Sequence, residues 1–225
     1  MTPASQSRIR ERLNGLRLYV LITAELCRGD WLETARAAIA GGADCLQLRE
    51  PKLNDAELLR RARQLRDVCH ECGTLLVVNN RPDIARLVGA DGVHLGQDDL
   101  PVDAVRRIVG PGCAVGLSTH SPEQARHALE QKPDYLAVGP MFESATKGPE
   151  GGRVAGPELL RVAAAMTDLP IVPIGGISGE NVELLVAAGA SRVAVCQAVI
   201  GQPDPRRAAA ELRRRLLSAM HRKGH

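Results

Sequence analysis

The chain has 225 residues, 44% of them hydrophobic, with 29 Lys+Arg against 26 Asp+Glu and a formal net charge of +3. That length and apolar content allow one large α/β domain, and the near balance of charge argues against a general affinity for nucleic acid. Aromatic residues make up only 2% of the chain, so there is almost nothing on which bases could stack.

No apolar run reaches the roughly 18–20 residues of a membrane span. The polar opening Met1 to Gln6 lacks the apolar centre of a signal peptide. The expectation is a cytoplasmic protein with no membrane or nucleic-acid partner. Its oligomeric state is left open, a homodimer included. The six cysteines are scattered, mostly in apolar surroundings, and read as reduced thiols; Cys69 and Cys72 form a lone CxxC pair without a second pair to complete a metal site.

Taken in order, residues 1–17 read as an N-terminal extension and 18–225 as the folded domain. Leu18 to Thr23 is a first buried strand, and Trp31 to Ala40 a helix ending at Gly41-Gly42. Ala43 to Glu50 is a short apolar strand between turn signals, on which Gln47 and Arg49 share one face. Asn54 caps a helix running to about Gly73. Leu75 to Asn80 is a third strand, Pro82 to Leu87 a short helix, and Asp91 to Gln97 a fourth strand.

The alternation goes on. Val102 to Val109 is helical and Cys113 to Ser118 a strand; Ser121-Pro122 starts another helix. Tyr135 to Gly139 is a strand, followed by a long loop over Met141 to Ala155. Loops of that length in compact domains are usually functional. Glu158 to Met166 is helical, Ile171 to Ile174 a strand ending in Gly175-Gly176, and a helix ends at Gly189. Arg192 to Cys196 is the eighth strand, and Asp204 to His221 an amphipathic last helix with a basic, solvated face. Eight strands, each followed by a helix at roughly 25 residues per unit, describe a single-domain (β/α)8 TIM barrel. An open doubly wound sheet fits less well, because no glycine-rich turn follows the first strand.

In such barrels the chemistry lies at the carboxyl ends of the strands, and polar residues collect there. They are Gln47 and Arg49, then Asn79 and Asn80, Asp98 and Asp99, Ser118 and His120, Ser144, Thr146 and Lys147, the Gly175-Gly176 pair, and Gln197. Gly175-Gly176 lets backbone N–H groups approach an anion. Arg49, Lys52 and Lys147 balance a second, more charged group. Asp98 and Asp99 with Asn79-Asn80 offer the oxygen ligands that suit Mg²⁺ on a diphosphate. Bland readings stand beside these. Asp98 or Asp99 can be only a cap for the helix at Pro101, His94 a satisfied core histidine, and His120 a surface loop residue.

The blocks Gln47-Leu48-Arg49-Glu50, Asn79-Asn80-Arg81-Pro82-Asp83, Ala90 to Asp99, Gly116 to His120, Gly139-Pro140-Met141-Phe142 through Thr146-Lys147, and Ile174-Gly175-Gly176-Ile177 resemble the thiamine-phosphate synthase family from about Leu18 to Ile200. The resemblance implies a transferase that couples 4-amino-2-methyl-5-hydroxymethylpyrimidine diphosphate with a thiazole monophosphate. Thiamine phosphate and pyrophosphate are the products, formed with Mg²⁺ through a dissociative, carbocation-like step. It places Gln47, Arg49, Asn79 and Lys147 on the pyrimidine diphosphate, Asp99 and the Asn80 position on the metal, and Ser118 beside the pyrimidine. Ser144, Thr146, Gly176, Cys196 and Gln197 go to the thiazole phosphate. Arg49, Ser118 and Lys147 are the catalytic set.

Four positions depart from the family pattern. Pro51 replaces a lysine, with Lys52 one step on; Asn80 replaces a metal-binding aspartate; Ser144 replaces a threonine; and Gln197 replaces a serine. Lys52 swinging in and Mg²⁺ held through Asp99 would offset the first two. Two other readings stay beside the synthase: a thiazole tautomerase of the same fold, and a weakly active barrel that binds thiamine precursors.

Overall fold

A computed structural model describes residues 3–143 and 154–223. Eight parallel strands follow one another around a barrel: β1 (Leu18–Ile22), β2 (Cys45–Leu48), β3 (Leu75–Asn79), β4 (Gly92–Leu95), β5 (Ala114–Thr119), β6 (Tyr135–Val138), β7 (Ile171–Pro173) and β8 (Val193–Val195). Each pairs with its neighbour in sequence, β8 pairs with β1, and an Ile174–Ala194 bridge joins the β7 edge to β8. The described helices are α1 (Pro3–Gly15), α2 (Trp31–Ala40), α3 (Asp55–Cys72), α4 (Pro82–Val88), α5 (Val102–Val109), α6 (Pro122–Glu130), α7 (Gly156–Ala164), α8 (Val182–Ala187), α9 (Gln197–Ile200) and α10 (Pro205–Lys223).

Local chemistry sets the helix ends. Asp30 accepts from the Leu32 and Glu33 N–H groups at 2.9 Å to start α2, and Asn54 accepts from Glu57 N–H at 3.0 Å to start α3. Gly73 and Gly89 stop α3 and α4 at φ of 67° and 63°, which a side chain would resist. The start of α5 differs from expectation. Neither Asp98 nor Asp99 caps it; Val102 N–H donates to Gln131 Oε1 at 3.2 Å instead. The reason is that Asp99 is bonded to Gly96 N–H.

Strand side chains alternate between two cores. Val20, Leu46, Leu76, Val93, Val115, Leu136 and Val195 face the helices. Tyr19, Leu21, Cys45, Leu75, Val77, Ala114, Tyr135, Val172 and Ala194 form the inner cluster, and Ile9, Leu13 and Leu16 of the α1 segment pack into it. The carbonyls at the end of α1 are met by arginines: Arg17 donates to Asn14 O and Leu16 O, and Arg192 to Asn14 O.

Three strands, β2, β4 and β6, are each preceded by an aspartate that ties them to the strand before. Asp44 accepts from Leu18 N–H at 2.9 Å, Asp91 from Leu76 N–H at 2.9 Å, and Asp134 from Val115 N–H at 2.8 Å. Arg213, Arg12 and Arg106 respectively neutralise these carboxylates. Arg12, near one end of the chain, and Arg213, near the other, are thus both tied to the amino-terminal rim.

Candidate active site

The carboxyl rim surrounds a cavity of about 820 Å³. Gln47, Arg49, Asn79, Asn80, Ser118, Gly176, Cys196 and Gln197 all line it. They come from different strands, and only parallel register brings them to one level. Gln47 is inward on β2, 3% exposed, while Arg49 continues the same face past the strand end. Glu50 points away, accepting from Ala24 N–H and from Arg61 at 2.9 Å. Arg49 has no carboxylate partner among the described residues, so its charge is available to a ligand.

Two turns shape the far wall. At Gly176 the backbone has φ 65°, and a Cβ would fall 2.3 Å from Glu143 O; at Gly175 it would fall 2.6 Å from Pro140 Cβ. Only glycine fits either position. Asn181 fixes this turn, donating to Gly176 O at 2.8 Å and accepting from Ser178 N–H at 2.9 Å. Across the cavity, Cys196 leads into the short α9, whose presence the sequence reading does not anticipate. Burial pushes the Cys196 thiol up to about 11, opposed by the neighbouring Arg49 guanidinium, so it is a neutral wall.

Several expected site residues stand elsewhere. Lys52 is exposed and ion-paired to Glu25 at 2.8 Å, outside the cavity lining. Asp99 does not line the cavity either; its Oδ2 accepts from Gly96 N–H at 2.6 Å, and Gly96 does line it. Asn80 holds a left-handed backbone, φ 59°, that asparagine tolerates better than most residues. Ser144, Thr146 and Lys147 lie outside the described residues.

Two histidines keep their bland readings but also face the cavity. His120 lines the cavity and donates through Nδ1 to Gly139 O at 2.6 Å, so it joins the loops after β5 and β6. His94 is 7% exposed and fully engaged as a core histidine would be, yet it also lines the cavity and bonds Ser118 Oγ at 2.8 Å. Tyr19 and Phe142 line the cavity as well, and sequence reasoning passes over both. The signal for Tyr19 was its phenol on an inward strand position in a chain with only two tyrosines.

As to a metal, no group of three His, Cys, Asp or Glu side chains converges among the described residues. Among the described residues the cavity lining offers the amide oxygens of Asn79 and Asn80 and one carboxylate, Glu143, with Asp99 just outside the lining on Gly96 N–H. That set does not cage a structural ion. It fits Mg²⁺, which keeps waters and takes further ligands from substrate phosphate. No described helix is long and apolar enough to cross a membrane.

With this geometry in place, similarity to known proteins is informative. A family model described as thiamine monophosphate synthase matches residues 18–199. A thiamine-phosphate synthase of Thermobifida fusca is 43% identical over 94% of this chain and 97% of its own length. One from Moorella thermoacetica is 44% identical over 87% and 93%. The solved structure of a thiamine phosphate pyrophosphorylase from Pyrococcus furiosus superposes with a TM-score of 0.84 at 34% identity, covering 92% of this chain and 98% of that one. A barrel whose polar residues meet at one carboxyl-end cavity, matched by these relatives along nearly its whole length, belongs to the thiamine monophosphate synthase family of transferases.

Proposed function

We propose that the cavity condenses 4-amino-2-methyl-5-hydroxymethylpyrimidine diphosphate with a thiazole monophosphate, giving thiamine phosphate and pyrophosphate. The observation that carries this reading is the Arg49 guanidinium, without a carboxylate partner among the described residues, opening on the same cavity as the glycine turn at Gly176, one anion site facing another.

The bond from the pyrimidine methylene to the diphosphate oxygen breaks, and its electron pair leaves with pyrophosphate. The methylene cation is delocalised into the aminopyrimidine, and the thiazole nitrogen lone pair captures it. Neither step needs a protein nucleophile or a general base. The chain's work is to hold both partners in line and to stabilise charge as it develops on the departing oxygens.

Arg49 supports the diphosphate, with Asn79 beside it and Lys147 assigned by its place in the sequence motif. Asp99 and Asn80 would hold Mg²⁺, which when bound screens the diphosphate charge. Gln47 and Ser118 address the pyrimidine ring. Gly176, Cys196 and Gln197, with Ser144 and Thr146, receive the thiazole phosphate. The half-buried walls of Cys196 and Phe142 keep water from the cation. A cytoplasmic location, where both small-molecule precursors and Mg²⁺ are present, suits this chemistry.

The test mixes both precursors with the protein and Mg²⁺ and follows pyrophosphate. Release that depends on the thiazole phosphate supports the synthase. A tautomerase or a precursor-binding barrel releases none.

A further inference from the structure

A hydrogen-bonded chain crosses the barrel interior beneath the cavity. Gln47 Nε2 donates to the Tyr19 hydroxyl at 2.6 Å, and the Tyr19 and Tyr135 hydroxyl oxygens are 3.3 Å apart. The Tyr135 hydroxyl lies 3.0 Å from His94 Nδ1, and His94 Nε2 lies 2.8 Å from Ser118 Oγ. The two ends, Gln47 and Ser118, line the cavity; Tyr135 does not, and is 1% exposed.

The chain has a direction. Burial pushes both phenols above their ordinary range, so each keeps its one proton to donate. Tyr19 accepts from Gln47, and its own proton finds its acceptor in Tyr135. The Tyr135 proton then goes to His94 Nδ1. His94 therefore carries its proton on Nε2 and donates to Ser118 Oγ, leaving the Ser118 O–H to point outward. In the reverse order with the same Gln47 orientation, the Tyr19 proton would be buried without an acceptor, which proteins avoid. At the other end, Gln47 Oε1 has no partner among the described residues. Since Arg192 Nε is the one fully buried side-chain atom left unpaired among them, Gln47 Oε1 must open on the cavity.

We propose that Tyr19, Tyr135 and His94 are positioning residues that fix a donor at Ser118 and an acceptor at Gln47, and so select an aminopyrimidine over its oxo counterpart. This rests on the pyrimidine reading of the cavity. An aminopyrimidine presents an N–H from its exocyclic amine and a lone pair on its ring nitrogen, matching the Gln47 carbonyl and the Ser118 hydroxyl. The oxo ring presents a carbonyl and a ring N–H, the opposite pattern. To accept it, the amide must flip and every proton along the chain must move together. Discrimination is then a property of the whole chain, because its internal bonds are mutually dependent.

The experiment uses the full-length protein and its Tyr135→Phe, Tyr19→Phe and doubly substituted variants, each keeping its ring in place. In ¹⁵N-histidine NMR, wild-type His94 is expected as the Nε2–H tautomer, and Tyr135→Phe should populate the other one. The kcat/KM preference for the 4-amino over the 4-oxo pyrimidine diphosphate should fall by about tenfold or more in either variant. The double variant should be no worse than the singles, because a serial chain breaks only once. A wild-type Nδ1–H tautomer, an unchanged preference in both variants, or additive losses would each overturn the relay. If one variant fails to fold, the other carries the same prediction. Absence of wild-type pyrophosphate release would count against the synthase reading instead, and the tautomer would still decide the relay.

Discussion

Gly116 lies directly under the ring of Tyr135: a Cβ at position 116 would meet Tyr135 Cζ at 2.1 Å. In the ladder Gly116 sits between His94 of β4 and Tyr135 of β6, and the missing side chain lets those two rings stack with centroids 5.5 Å apart. Gly116→Ala should therefore cost about 1–3 kcal/mol by overpacking, lowering the melting temperature by roughly 2–10 °C. Adding Tyr135→Leu should recover part of that loss. A calorimetric scan of Gly116→Ala that matches wild type would contradict the placement.

Arg49 and Lys52 are three residues apart in sequence but differ in surroundings. Arg49 opens on the cavity with no carboxylate partner among the described residues, whereas Lys52 is held outside by Glu25. Steady-state assays should show Arg49→Ala losing about 10²–10³ in kcat/KM. Lys52→Ala should stay within about threefold, as for an exposed ion pair. A large loss for Lys52→Ala would mean that the lysine leaves Glu25 when substrate binds.

Asn80 supplies an amide where a carboxylate would bind Mg²⁺ more tightly. Its left-handed backbone tolerates aspartate nearly as well. Asn80→Asp should lower the Mg²⁺ concentration for half-maximal rate by roughly fivefold or more. Titration curves that coincide with wild type would rule out a contribution from position 80 to the metal.

Thiol burial predicts alkaline instability. Desolvation raises Cys27 and Cys196 to about 11, and Cys69 and Cys113 to about 12, whereas the unfolded thiols ionise near their ordinary value. The folded protein then retains protons that the unfolded chain gives up, so stability is whole below about pH 8.5 and falls as pH rises toward 11–12. Melting temperatures at pH 7.5, 9 and 10.5 should fall stepwise. Replacing Cys69 with alanine should flatten the decline, and a flat wild-type profile would refute it.

Asp44 gathers three donors on one oxygen: Arg17 N–H at 2.8 Å, Leu18 N–H at 2.9 Å and Arg213 at 2.6 Å. Asp44→Ala leaves two backbone groups and a cation unsatisfied and should cost about 3 kcal/mol in a urea titration. The kcat of the folded fraction should stay within about twofold of wild type, because the site is at the opposite rim. A catalytic loss without a stability loss would reverse this assignment.

The barrel was legible in the sequence because its strands are short apolar runs punctuated by glycine and proline, and because Asp30, Asn54 and Ser121 cap helices through neighbours in the chain. Rim residues such as Gln47 and Asn79 were equally legible, since strand ends can be counted. What needed three dimensions was anything set by register. Nothing local tells Tyr19 that Tyr135 is its partner across the barrel, or tells Lys52 that Glu25 will capture it. The α1 segment was opaque for a different reason: its apolar residues are sparse, and it packs only because Leu13 and Leu16 meet an inner core that other segments build. The short α9 left no periodic trace over Gln197–Ile200.

The aspartates preceding β2, β4 and β6 rivet three of the barrel's seams, but at the corresponding place before β8 stands Arg192. The β7–β8 seam relies instead on the single Ile174–Ala194 bridge. The wall is thus stiff around most of its circumference and has one soft join, flanked by the Gly175-Gly176 turn and Cys196. A cylinder built that way yields along one line, and here that line runs beside the proposed berth of the thiazole phosphate. Backbone amide exchange is therefore expected to be faster along that join than along the aspartate-tied seams.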